Sequence, residues 1–397
     1  MKKVLVVGCG GIGSELIKLM VQNDNLDITI IDFDTIELSN LNRQFLFTND
    51  DIGKYKCQVI FEKIQNLKPN LKINFLIGDI KSYDLTFFNE FDVVYNCLDN
   101  NESREHVNLM CFLNKKKLID GGSGGYKGQS CYFDYKNECF DCLPKPVNKK
   151  YQVCTLRGVP TKFEHCIEFV KTVVFDNLNN ESDVKEYLKN NLGVKVLTNN
   201  LFNKKEIKKI TSLLRKIKAK NGNKLVYDKD DHNSNQLMYK LSCIRAKSAN
   251  IELISFFESQ TMANNIISSI CSTNSMVASL MLLSETNEVN YFLGNGRKNI
   301  MKIFPNEKNK NCATCSYQWI IMSYKKGSKV IDLFNSISHL YSCKYLLDYK
   351  LKYFSRLPFN LNEEFEVADN TIATIGCAKD EIVKIYFLNE ANDFKII

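Results

Sequence analysis

The chain has 397 residues, 44% of them apolar and 25% charged, with a formal charge of +8. That length leaves room for two or three domains, and the apolar fraction is ordinary for a chain that buries a real core, so wholesale disorder is excluded. The charge is spread over lysines throughout, which fits general surface chemistry with some preference for acidic partners and leaves nucleic-acid binding as the weaker reading.

The opening MKKVLVVGCGG has a charged start, but its apolar stretch is too short for a signal peptide and runs straight into a glycine turn. Lys3 to Val7 reads as a β-branched strand, Gly8 to Gly13 as a turn, and Ser14 to Met20 as a helix. Asp27 to Asp32, Leu71 to Ile77, Asp92 to Cys97 and Lys117 to Asp120 read as four further strands with helical stretches between several of them. This is the order of a doubly wound, mostly parallel α/β sheet. Gly121 to Gly125 reads as a loop, and the prolines at 144 and 146 mark a boundary nearby. From about Tyr151 to Lys240 the pattern is lysine- and asparagine-rich and helical, with Thr161 to Glu164 as a capping box ahead of the apolar run Cys166 to Phe175. The uncharged span Met262 to Leu283 carries too many asparagines, serines and threonines for a lipid-facing helix and is expected as one buried helix. Val289 to Leu293 is a strand, and residues 316–397 form a mixed strand and helix tail.

The turn Gly8-Cys9-Gly10-Gly11-Ile12-Gly13 between strand and helix directs backbone amides at a phosphate, and Asp32 ends the next strand where a ribose hydroxyl would lie. Alone, this motif does not separate ATP from NAD, and NAD would be the commoner ligand. Arg43 and Lys56 suit a triphosphate under in-line attack, and Asp99, just past a strand end, suits magnesium. Hydride transfer needs none of the three. Their bland reading is surface charge.

Fifteen cysteines point to thiols, a metal site or a nucleophile rather than a disulfide scaffold. Cys139-x-x-Cys142 and Cys312-x-x-Cys315 are two pairs that could close a four-thiolate zinc site, or be two redox or incidental pairs. Cys154 precedes the helix expected from Thr161, so a helix dipole and Arg157 would favour its thiolate if close in space. Cys166 is the rival nucleophile, although its place in an apolar helix suggests packing. The run Arg215 to Lys220 reads as a solvated helix face, with a polyanion or import patch as the alternative, and Asp228 to Asp231 as a solvated turn.

The stretches GCGGIG, IDFDTIELSNLNRQFLF, CLDN, ECFDCLPKP, CTLR and VYDKDD, in this order, make the chain resemble the ubiquitin-like-protein activating enzymes over nearly its whole length, and among them the cysteine-bearing subunits of the SUMO-activating type. The resemblance implies that Gly8, Gly10, Gly11, Ile12, Gly13, Asp32, Asn40, Leu41, Asn42, Arg43, Lys56, Asp99, Asn100 and Arg104 line an ATP site. It also implies magnesium at Asp99, a structural zinc at Cys139, Cys142, Cys312 and Cys315, and Cys154 as the thioester cysteine, with Arg43, Lys56 and Asp99 as catalytic groups. Residues 1–142 and 241–315 would be the two parts of a Rossmann-like adenylation domain, 143–240 an inserted helical catalytic-cysteine domain, and 316–397 a ubiquitin-like α+β domain. The implied partners are a second adenylation-like subunit that makes a heterodimer and supplies an arginine to the ATP site, SUMO or a related modifier, and a SUMO-conjugating enzyme. Neither direct nucleic-acid binding nor a membrane is implied. The implied location is the nucleus, with the cytoplasm as the other compartment. A NEDD8-activating subunit, an NAD-dependent oxidoreductase and a non-catalytic nucleotide-binding scaffold are the alternatives.

Overall fold

A computed structural model of the chain describes residues 1–145, 159–175, 204–222, 224–228, 231–263, 270–294, 300–324, 327–337, 341, 343–348, 350–354, 361, 364, 372–377, 382–389 and 395–396. The chain divides into two compact units, Met1–Lys145 with Ser269–Ile397, and Pro146–Ser268.

The first unit opens with β1 (Lys2–Val7), α1 (Gly11–Met20), β2 (Leu26–Ile31), α2 (Lys56–Leu67), β3 (Lys72–Leu76), α3 (Leu85–Asn89), β4 (Val93–Asn96), α4 (Asn101–Leu113), β5 (Lys117–Gly124) and β6 (Lys127–Phe133). Val4 to Val7 are all buried, the mark of a central strand covered on both faces. Val4 and Val6 join a core with Leu16 and Ile17 of α1 and Ile60 and Ile64 of α2. Leu5 and Val7 join the opposite core with Phe88 of α3 and Val107 and Met110 of α4. Gly121 to Gly124, expected as a loop, instead continue β5, because they pair antiparallel with Ser130 to Lys127 of β6. Glycine content signals a turn only where no partner strand takes up the backbone groups; here the reversal is at Gly125, with φ +60.

In the second unit α5 (Phe163–Phe169) runs on into a π-helical stretch, Val170–Val174, and is followed by α6 (Lys204–Lys220), α7 (His232–Ser248) and α8 (Phe256–Ala263). Their apolar faces meet in one core containing Cys166, Ile167, Leu214, Ile217, Leu237 and Leu241. The capping box expected at Thr161 is absent: Lys162 is the N-cap, without a side-chain cap. The Thr161 hydroxyl lies 3.4 Å from His165 Nδ1 instead. The helical unit extends past residue 240, because α7 runs unbroken across that position. In α6, Leu213, Leu214 and Ile217 are buried while Arg215, Lys216 and Lys220 face outward.

The chain returns to the first unit through α9 (Cys271–Asn287), β7 (Asn290–Leu293) and β8 (Ile300–Ile303). The span expected as one helix is therefore two among the described residues, α8 and α9. The sheet order is β3-β2-β1-β4-β5-β6-β7-β8, parallel from β3 to β5 and antiparallel thereafter. Last come β9 (Gln318–Tyr324), α10 (Val330–Ile337), β10 (Cys343–Asp348), β11 (Lys350–Phe354), β12 (Ile372–Cys377), β13 (Ile382–Asn389) and β14 (Lys395–Ile396). They form a second, mixed sheet whose inner strands β9 and β13 run parallel, with Leu333 and Ile337 of α10 in its core. No helix among the described residues is long and apolar enough to cross a membrane.

Candidate functional site

Strand order reverses at β1, which lies between β2 and β4, so the loops leaving the ends of β1 and β4 diverge and open a crevice. The turn after β1 is built by two glycines. Gly8 adopts φ +95, and a Cβ on Gly13 would stand 1.9 Å from the Gly8 carbonyl oxygen. The N-cap of α1 is Gly10, with no side-chain cap and no acidic residue in the first turn. A Cβ on Gly10 would meet nothing within 4 Å. The first amides of α1 are thus left for an anion.

Asp32, at the end of β2, clamps the turn: its carboxylate accepts from Cys9 N at 2.6 Å and from Asp34 N at 2.7 Å. Burial pushes the Asp32 carboxyl up, against the pull of those two N–H groups. Lys56, buried at the start of α2, reaches back to Asp34 Oδ2 at 2.7 Å. Asp34 joins this chain of contacts although sequence reasoning passed over it; the signal was a second carboxylate two positions after Asp32.

Asn40 is buried, and its Oδ1 accepts from Glu37 N at 3.0 Å, closing a short 3-10 turn over Leu38–Asn40. Leu41 packs against the core shared by Ile12 and Leu16. Arg43 donates to Ser39 O at 2.8 Å and to Asn42 Oδ1 at 3.1 Å, so the contacts seen are local ones. Beyond β4, Asp99 is exposed and has no hydrogen-bond or ion-pair partner among the described residues. Asn100 uses its side-chain oxygen to cap α4, accepting from Ser103 N at 2.9 Å. Arg104 stitches the β4 loop to β5: it donates to Leu98 O at 2.8 Å, to Gly121 O at 3.0 Å and to Asp120 Oδ2 at 3.1 Å. Asp120 is fully buried, which pushes its carboxyl up to about 6 although Arg104 and Asn96 oppose the shift.

The structure therefore links Gly8 to Gly13, Asp32 and Lys56 in one chain of contacts, and Leu98, Arg104 and Asp120 in another, at the ends of β1, β2 and β4 and at the middle of β5. Cys154 and Arg157 lie outside the described residues. Cys166 is fully buried, and burial pushes its thiol up to about 12, so it behaves as a core residue.

The four cysteines at 139, 142, 312 and 315 converge, with all sulfurs within 4.8 Å of one another. Cys139 Sγ lies 3.9 Å from Cys142 Sγ and 3.6 Å from Cys312 Sγ, and Cys142 Sγ lies 3.3 Å from Cys315 Sγ. A tetrahedral four-thiolate ion with metal–sulfur bonds of about 2.3 Å has sulfurs roughly 3.8 Å apart, so the spacing fits. Backbone N–H groups of Thr314 and Cys315 point at Cys312 Sγ and that of Asn309 at Cys142 Sγ, each at 3.5 Å. Asn108 Nδ2 lies 3.7 Å from Cys139 Sγ. The cluster can hold a metal ion, and with four thiols it leaves no open vertex for chemistry.

A glycine turn at the switch point, an uncapped helix start and a clamp of carboxylates and lysine define a Rossmann-like α/β protein with a preformed anion-binding crevice. The chain belongs to the ThiF family, whose profile matches residues 1–314. It is similar to SUMO-activating enzyme subunit uba-2 of Caenorhabditis elegans, at 40% identity over 188 residues, which are 46% of this chain and 32% of that protein. It is similar to SUMO-activating enzyme subunit 2 of Dictyostelium discoideum, at 28% identity over 435 aligned positions, covering 84% of this chain and 66% of that protein. The NEDD8-activating enzyme E1 catalytic subunit of Schizosaccharomyces pombe is 27% identical over 361 positions, covering 86% of this chain and 76% of that protein. The chain thus spans about a third to two thirds of the length of the two SUMO-type relatives.

Proposed function

We propose that this chain is the cysteine-bearing subunit of a SUMO-activating enzyme. The observation that carries the reading is the cradle at the β1/β4 switch point, where Gly8 to Gly13, Asp32, Asp34 and Lys56 are tied together, with Asp99 exposed in the loop that follows β4. ATP would lie with its phosphates against the turn and the amides of α1. A C-terminal glycine carboxylate of the modifier would attack the α-phosphorus, forming an acyl–phosphate bond while the bond to pyrophosphate breaks. Arg43 and Lys56 would offset the charge that builds on the phosphate oxygens, Lys56 by exchanging Asp34 for phosphate. Magnesium held at Asp99 would supply further charge compensation.

The Cys154 sulfur would then attack the acyl carbon and expel AMP, and the resulting thioester would pass the modifier to the cysteine of a conjugating enzyme. Arg104, bound to Asp120 and two carbonyls, would hold the wall of the crevice. A structural zinc at the four cysteines would tie the segment after β6 to the segment after β8. The six-stranded C-terminal domain would be the ubiquitin-like module that recruits the conjugating enzyme, the helical unit would carry Cys154, and a second adenylation-like subunit would complete the enzyme, in part in the nucleus.

The test incubates the chain and its partner subunit with magnesium ATP and tagged modifiers and reads a non-reducing gel. A thiol-sensitive SUMO adduct that disappears in Cys154→Ala is expected. An adduct with NEDD8 alone would overturn the choice of modifier, and a nicotinamide-dependent absorbance change without any adduct would overturn the enzyme class.

A further inference from the structure

The four-cysteine cluster lies against the C-terminal sheet, and two residues outside the functional reading reach from that sheet to hydrogen-bond the Cys312-x-x-Cys315 turn. Trp319 on β9, the one tryptophan in the chain, donates its indole N–H to Thr314 O at 2.8 Å, inside the Cys312-x-x-Cys315 turn. Its ring packs on the core that holds Cys139, Cys312 and Cys315. Lys384 on β13 donates to Ala313 O in the same turn. Its ammonium lies 4.5 Å from the Tyr317 ring centre and 5.2 Å from that of Trp319, within electrostatic reach of Cys312 and Asp141.

Charge explains why a lysine belongs there. Four thiolates around a divalent ion carry a net charge of about −2, and a buried net charge is costly unless offset. The N–H groups of Thr314, Cys315 and Asn309 spread part of it over neutral dipoles. Asp141 beside the cluster adds to it, but Lys145 pairs with Asp141 at 2.8 Å and also with Glu105, and so is already committed to carboxylates. Among the described residues Lys384 donates to a carbonyl and pairs with no carboxylate, so its charge is left to act on the sulfurs. It comes from β13, about seventy residues beyond the last cysteine, so it can serve the cluster only while the C-terminal sheet is seated.

We propose that Lys384 is the outer-shell cation of the four-thiolate metal site, so that holding the metal and seating the C-terminal sheet are one coupled event. The proposal rests on the reading of the cluster as a zinc site. Removing the charge should loosen the metal, and removing the metal should change the surroundings of Trp319.

The experiment uses the full chain. Zinc content is measured first, then zinc release to a chromophoric chelator is followed for the wild type, Lys384→Met and Lys384→Arg, with Trp319 emission recorded alongside. Release about tenfold faster in Lys384→Met is expected, with Lys384→Arg near wild type and the emission change tracking release in the wild type. Equal rates for wild type and Lys384→Met, or equal acceleration in both variants, would overturn the charge role while leaving the zinc site intact. Unchanged Trp319 emission as wild-type zinc departs would overturn the coupling without relying on any variant. A wild-type chain that binds no zinc would overturn the metal reading itself.

Discussion

Two substitutions in the glycine turn separate its folding role from its ligand role. At Gly13 a Cβ would stand 1.9 Å from the Gly8 carbonyl oxygen, against a practical limit of 3.0 Å, so the start of α1 and the end of β1 must part by about 1.1 Å. Both belong to well-packed elements, with Leu16, Ile17, Val6 and Val7 buried. Overpacking of this kind costs about 1–3 kcal/mol, which lowers Tm by roughly 2–10 °C for a domain of this size. At Gly10 the backbone has φ −76, open to alanine, and the added methyl touches nothing. Gly10→Ala should therefore stay within about 1 kcal/mol of wild type. It should still lose roughly tenfold or more in ATP affinity, because the methyl takes the place where a phosphate would approach the backbone. Thermal unfolding and titration with ATP, run on both variants, read the two effects separately. A Gly13→Ala protein as stable as wild type would refute the closed turn, and a Gly10→Ala protein that binds ATP normally would refute the phosphate position.

Asp99→Asn should leave the unfolding free energy within about 0.5 kcal/mol of wild type, since the side chain is exposed and partnerless among the described residues, while modifier-dependent exchange of pyrophosphate into ATP falls at least about tenfold; normal exchange would remove Asp99 from the site. Asp120 gives a pH signature. Burial holds its carboxyl up at about 6, above an unfolded value near 3.9, so its contribution to stability is complete below about pH 4 and is lost as pH rises through about 6. Wild type should lose about 3 kcal/mol against Asp120→Asn across that window, read as a changing Tm difference; a difference flat with pH would contradict the raised value. Cys166→Ala should keep thioester formation, because a thiol pushed up to about 12 carries little thiolate at neutral pH, and loss of the adduct with an unchanged Tm would reopen Cys166 as the nucleophile.

Local patterns carried the parts of the fold that local physics controls. β1, β2, β3, β4 and β7 fall within a residue or so of the runs that predict them, since short runs rich in β-branched, aliphatic and aromatic side chains suit a strand, whether covered on both faces like β1 or alternating like β3. The extended β5 and the division of Met262 to Leu283 were not legible. In both cases the state of the backbone depends on a distant partner or neighbour rather than on its own residues. The failed cap at Thr161 has the same origin, because a capping motif competes with whatever else its side chain can reach.

At the site, the residue types are legible from the order of amino acids: glycines at 8, 10, 11 and 13, carboxylates at 32 and 99, lysine at 56, and two Cys-x-x-Cys pairs. Tertiary structure alone decided their company. It joined Lys56 to Asp34 and turned Arg104 and Asn100 to holding the β4 loop, and it brought Cys139 within 3.6 Å of Cys312 across 173 residues of chain. The reason is range. A turn or a helix start is set by sterics and hydrogen bonds over a few neighbouring residues, whereas a metal cluster or an ion pair between strands exists only once the sheet has fixed where its loops emerge.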